Sequence, residues 1–151
     1  MPVFRQLVTQ GGADTETRVA IATGITAAGR EVMAITAVEA MWSDGAAVAA
    51  GDWSLDAYVN TADVALNYTL ATTAVAVAWG MQNTAGVAVS VPYEPIKRWE
   101  LLDPRITAQP YIYAGVASAG TGQANDVVLV IHYKLIKLSE VEVLRLLAAG
   151  A

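Results

Sequence analysis

The chain contains no cysteine, one histidine, one phenylalanine and few charged side chains. Without cysteine there can be no disulfide, zinc–thiolate site, iron–sulfur cluster or thiol nucleophile. A single imidazole, His132, cannot build a multi-histidine metal centre. Charged residues are 15% of the sequence, against about 25% in ordinary soluble domains. The nine Lys and Arg are scattered, and the only adjacent pair, Lys97-Arg98, is flanked by Glu94 and Glu100. With a net charge of -5, the chain is not expected to bind nucleic acid directly, because phosphate-backbone binding draws on clustered basic side chains.

What replaces charge is neutral apolar surface. Hydrophobic residues are 55% of the 151, and mean hydropathy is +0.43. A chain this apolar either enters a membrane or presents surface that meets other proteins. The stretch Val64 to Tyr93 carries no charge, but its most apolar part, Leu70 to Met81, falls short of the ~20 residues a spanning helix needs. Its alternation of Val and Thr with Ala suits a strand, so no transmembrane span is expected. The first residues, Met1-Pro2-Val3-Phe4-Arg5, open no apolar run of the length of a secretory signal.

The length suits one domain, 1–151, burying roughly 70% of its unfolded surface. Gly and Pro punctuate the chain at short intervals, from Gly11-Gly12 to Gly120 and Gly122, as in a sandwich or barrel. Period-2 patterning predicts strands at Glu31–Met41, Asp52–Asn60 and Asp126–Lys137. The last is apolar on both faces and should be central. Further strands are expected at Phe4–Thr9, Thr17–Ala22, Leu66–Thr72, Ala74–Trp79, Gly86–Val91, Ile96–Leu102 and Tyr111–Ala117. Residues 1–15 form an arm or the first strand. Ser139-Glu140-Val141-Glu142 fits a capping box, so 139–149 should be a terminal helix. Gly150 could stop it, and Val141, Leu144, Leu147 and Ala148 would dock on the domain or on a neighbour. The fold class expected is all-β, an antiparallel β-sandwich, a single jelly roll of about eight strands with a short C-terminal helix.

Chemistry-bearing residues do not converge. His132 lies mid-strand, where a Ser-His-Asp triad would need it at the rim of a cleft, and it reads as a strand or interface histidine. Asp52 and Asp56 share a strand face about 13 Å apart, beyond the roughly 5–9.5 Å that glycosidase carboxylates require. Glu140 and Glu142 suit a helix N-terminus, and Asp14 and Glu16 a polar loop. The segment Gly120-Thr121-Gly122 lacks the remainder of a dinucleotide or phosphate loop and reads as a β-hairpin turn. Asn67-Tyr68-Thr69 matches a glycosylation sequon by chance. No catalytic residue, cofactor or metal is expected, and the chain is read as no enzyme. The tryptophans Trp42, Trp53, Trp79 and Trp99 and six tyrosines serve either as core and interface anchors or as a sugar-stacking platform.

Gln109-Pro110-Tyr111-Ile112-Tyr113 leading into Gly115-Val116, the loop through Gly120 and Gly122, and the last strand Val127–Lys137 resemble the single jelly-roll capsid proteins of icosahedral viruses. More loosely the plan resembles phage decoration proteins. The resemblance implies a self-assembling shell subunit of a virion, with copies of itself and other capsid proteins as partners. The basic N-terminal arm of many shell proteins is missing. Only Arg5, Arg18 and Arg30 occur in the first thirty residues, so contact with a packaged genome is not expected. Interface candidates are Trp99 with Lys97 and Arg98, and the terminal Val141, Leu144 and Leu147. The alternatives are a carbohydrate- or ligand-binding β-sandwich and a tail component.

Overall fold

Residues 2–43, 51–81 and 94–150 are described by the computed structural model. Eight strands form two four-stranded antiparallel sheets. They are β1 (Val3–Thr9), β2 (Glu16–Ala22), β3 (Glu31–Met41), β4 (Trp53–Asn60), β5 (Thr73–Met81), β6 (Ile96–Thr107), β7 (Tyr111–Ala119) and β8 (Asp126–Lys137). A helix, α1 (Glu140–Ala148), follows the last strand. Sheet A has the order β1-β8-β3-β6 and sheet B the order β2-β7-β4-β5. The first strand pairs with the last, the second with the seventh, the third with the sixth and the fourth with the fifth.

The inner faces of both sheets form one core. Trp53, Leu55, Ala57 and Val59 point inward from β4, Ile112, Ala114 and Val116 from β7, and Val127, Leu129 and Ile131 from β8. Trp42 is fully buried, with Trp53 and Trp79 edge-on against it at 5.4 and 5.6 Å. Such edge-to-face pairs add to plain area burial. β8 lies between β1 and β3, as its two apolar faces predict.

Strict alternation breaks on β3. Ile35 faces Tyr133 while Ala37 faces His132, so Thr36 is an extra residue. This β-bulge swaps the inward set from Met33 and Ile35 to Val38 and Ala40. The continuous alternation expected across Glu31–Met41 therefore holds only on each side of Thr36, whose hydroxyl donates to the His132 carbonyl at 3.2 Å. The partner strand bulges at the same place. Ala37 faces Glu100 and Ile35 faces Arg105, which leaves Leu101 to Pro104 opposite Thr36. Pro104 thus sits inside β6, an edge strand, where a missing N–H does least harm.

Two expectations are corrected. Leu66–Thr72 is not a strand but a turn-rich connection from β4 to β5. Its backbone and side chains bind the outer face of sheet B rather than a ladder, as described below. The segment 120–125 is not a hairpin turn, because β7 and β8 lie in different sheets. It crosses between the sheets on a buried polar knot. The Asn125 side-chain amide donates to Gln10 Oε1 at 2.7 Å, and its carbonyl accepts from the Trp42 indole at 3.2 Å. Thr121 N–H donates to Asp14 Oδ1 at 3.0 Å. The expected strand at Gly86–Val91 lies outside the described residues.

The helix starts as the capping box predicts. Ser139 Oγ accepts from the Glu142 N–H at 3.3 Å, and Glu142 accepts from the Ser139 N–H at 2.9 Å. Gly150, at φ 74°, follows the last turn. The docked side differs from the expected stripe. Val143 is buried, and with Leu146 and Leu147 it covers Val32, Ile106 and Ile136 on the outer face of sheet A. Val141 and Leu144 point away from this patch and stay exposed.

Candidate functional site

The outer face of sheet A is organised in rows by cross-strand register. Leu7, Val128, Met41 and Ile96 lie side by side across all four strands. The next row is Arg5, Val130, Glu39 and Arg98, and the next Val3, His132, Ala37 and Glu100. Beyond the bulge, α1 covers the sheet. In-register residues of antiparallel strands share a face, so an apolar row, a charged band and a helix-covered patch follow one another along the strands.

Arg98 organises the charged band. Its guanidinium reaches Glu39 at 2.7 Å and Glu100 at 3.0 Å. The bond from Arg98 holds the Glu39 carboxyl below its ordinary range. His132 Nε2 lies 3.2 Å from Arg98 Nη1 and 3.4 Å from Glu39 Oε2. One nitrogen cannot both accept from the guanidinium and donate to the carboxylate, so only one contact is a hydrogen bond at a time. Either way His132 sits on a sheet face beside an ion pair, as its mid-strand position suggests.

The other interface candidates separate into two groups. Lys97 donates to the Ala78 carbonyl of β5 and its ammonium lies 5.5 Å from the centre of the Trp79 ring. It therefore ties the edge of sheet A to the edge of sheet B. Arg98 is engaged by its carboxylates, and Leu147 belongs to the helix-docking patch. In contrast, Trp99 is 57% exposed, Val141 58% and Leu144 57%. Leu102, at the tip of the β6 bulge, is 101% exposed and went unnoticed in the sequence. A groove of about 420 Å³ runs between β5 and β6, with Ala76 and Ala78 on one side and Trp99 and Lys97 on the other.

Carboxylates gather on the outer face of sheet B, but not as an acid–base pair. Glu16 accepts from the Tyr58 hydroxyl, from Arg18 at 3.2 Å and from the Leu66 N–H at 2.8 Å. Burial pushes its pKa up, but these donors outweigh it, and the carboxyl ends below its ordinary value. Arg18 also donates to Asp63 at 3.0 Å. Tyr68 donates to Asp56. Burial raises the Asp56 pKa, and the Tyr68 bond opposes the rise. Apart from the Arg18–Glu16 bond within β2, each of these bonds ties the 61–72 connection to the sheet or β2 to β4, so the cluster fastens a loop. Asp52, Glu140 and Glu142 take no part in it. Among the described residues no three His, Asp or Glu side chains form a metal-ligand set. No helix among them is long and apolar enough to cross a membrane.

Tyr58 lies flat over Gly115, its register partner on β7. A Cβ at Gly115 would come within 2.7 Å of Tyr58 Cε1. Glycine here is a spatial requirement, because the ring occupies the place of a side chain.

No protein-family profile, curated protein or solved structure matches the chain.

Proposed function

We propose that this protein is a structural subunit of a viral shell that assembles with copies of itself, and with other capsid proteins, through neutral apolar contacts. The observation carrying this reading is the set of large apolar side chains left outside a complete core. Trp99 and Leu102 on edge strand β6, with Val141 and Leu144 on α1, stand mostly exposed and outside both core clusters. Exposed aromatic and aliphatic groups near uncharged surface are the usual anchors of protein interfaces. The strand pairing supports reading the sandwich as a jelly roll. First-with-last, second-with-seventh, third-with-sixth and fourth-with-fifth pairing is that of one long hairpin rolled into two sheets. Jelly rolls serve many functions, so the fold only makes room for this role.

Sedimentation and negative-stain microscopy of the purified chain test the proposal. The wild type should form rings or shells of defined stoichiometry. Leu144→Asp and Trp99→Lys should sediment as monomers with unchanged circular dichroism. A wild-type monomer that neither variant alters, at any concentration, would remove the self-assembly reading.

A further inference from the structure

We propose that a pocket at one end of sheet B binds a neutral hexose, as part of a glycan. The pocket has a volume of about 320 Å³, at the lower end of the roughly 300–1,000 Å³ of small-ligand sites. Tyr111 and Tyr113 of β7 line it, together with Thr61 and Asp63 from the β4–β5 connection, Pro110 from the β6–β7 turn, and Gly150. The proposal does not rest on self-assembly, since none of Trp99, Leu102, Val141 and Leu144 lines this pocket.

The tyrosines give the pocket its chemistry. They are two residues apart on a strand, so their rings leave the same face about 7 Å from each other. Their register partners on β2 are Ala22 and Ala20, which carry no bulk to cover them. Tyr111 is 48% exposed. Neither phenol makes a hydrogen bond among the described residues, unlike Tyr58 and Tyr68. An aromatic face has a negative quadrupole that attracts the slightly positive C–H face of a pyranose. The hydroxyls around such a ring need acceptors and donors at the edge, and the two phenols and Asp63 supply them.

The frame is already fixed. Asp63 Oδ1 is held by Arg18 Nε at 3.0 Å, which leaves the other oxygen for hydroxyl donors. The opposite wall is pinned by the Thr23 N–H on the Pro110 carbonyl at 2.9 Å and the Thr23 hydroxyl on the Gln109 carbonyl at 2.9 Å. A preset geometry lowers the ordering cost of binding. The sign of the ligand follows from the rim. Asp63 is a carboxylate, and Gly150 stands at the C-terminal, partially negative end of α1. Arg18 is already shared by Glu16 and Asp63, and among the described residues no Lys, Arg or His lines the pocket to receive an anionic sugar.

Saturation-transfer NMR on the whole chain tests this with methyl β-galactopyranoside, methyl α-mannopyranoside, methyl β-glucopyranoside and N-acetylneuraminic acid. At least one neutral glycoside should receive magnetisation and shift the Tyr111 and Tyr113 ring signals. Tyr111→Ala, at a half-exposed site, should keep the fold and lose at least tenfold in affinity, and Asp63→Asn should weaken binding independently of the rings. N-acetylneuraminic acid should give no transfer. The proposal is overturned by no transfer to any neutral glycoside at about 10 mM, by undiminished transfer in Tyr111→Ala, or by preferential binding of the anionic sugar.

Discussion

Replacing Gly115 with alanine should be among the most damaging single-methyl additions in this protein, and the damage should vanish when Tyr58 is absent. The new Cβ would stand 2.7 Å from Tyr58 Cε1, whereas carbon atoms in contact prefer about 3.5–4.0 Å. Tyr58 Cζ and Oη would be nearer still, so the ring would have to move by more than about 1 Å. It has no room, being fully buried, and its hydroxyl is bound to Glu16. Overpacking of this kind costs about 1–3 kcal/mol, and a lost hydrogen bond to a carboxylate adds about 1.5–3 kcal/mol. The expected loss for Gly115→Ala is therefore about 2.5–6 kcal/mol, a large part of a typical stability of about 5–15 kcal/mol. In a Tyr58→Ala background the clash disappears. The same substitution should then be neutral, or stabilise by about 0.5–1 kcal/mol as glycine leaves a strand interior. Urea unfolding followed by tryptophan fluorescence, on the two single variants and the double variant, measures the coupling. A loss below about 1 kcal/mol for Gly115→Ala, or a coupling within about 0.5 kcal/mol of zero, would refute the reasoning.

Two further outcomes follow from the polar contacts. Asn125→Ala removes the side-chain bonds of Asn125 to Gln10, Thr121 and the Gln123 carbonyl, and the carbonyl that accepts from the Trp42 indole, so the urea midpoint should fall by the equivalent of about 2–4 kcal/mol, and a loss under about 0.5 kcal/mol would mean that the knot is dispensable. The pH dependence has two opposed parts. Glu16 has a depressed pKa in the folded state, so its stabilisation is present above the ordinary glutamate range and is lost as pH falls through the depressed value. Asp56 is raised by burial, so its ionisation opposes folding as pH rises through the interval above its ordinary value. Glu16→Gln should flatten the fall in urea midpoint between about pH 5 and pH 3, and an unchanged acid slope would show that Glu16 does not carry it.

Much of the architecture is legible in the residues, and the exceptions have physical causes. The bounds of β3 and β8 coincide with the expected strands because both are apolar runs set between turn residues, although the Thr36 bulge interrupts the alternation of β3. The capping box at Ser139 is a local device and needs no tertiary information. Leu66–Thr72 misleads because Tyr, Leu and Thr are good strand residues, while the contacts that hold them, Tyr68 on Asp56 and the Leu66 N–H on Glu16, join distant parts of the chain. The bulge at Thr36 is likewise invisible, since only the partner strands show which residue is extra. On α1 the helical period holds and Leu147 docks as expected, but the rest of the docked face is shifted. Val143 and Leu146 dock, and Val141 and Leu144 do not. Trp99 and Leu144, two interface candidates of the sequence, are exposed, and Leu102 joins them only because its exposure depends on the β6 bulge. Tyr111 and Tyr113 stood out as aromatics, while Asp63, about a third of the chain away, joins them only through the fold.

The nested pairing of the strands also sets a timetable. β1 has a single ladder partner, β8, so its hydrogen bonds must wait until nearly all the rest of the described chain has been made. Of the four nested pairs only β4 with β5 closes a short loop, and each later pair closes a longer one around it. Loop-closure entropy favours zipping from the middle outward. Until the last pair forms, β1 and the apolar edge of β8 are open to another chain. Under the proposed self-assembly, the order of folding becomes part of the order of assembly, with a correct subunit required to finish its own outermost rung before meeting its neighbours.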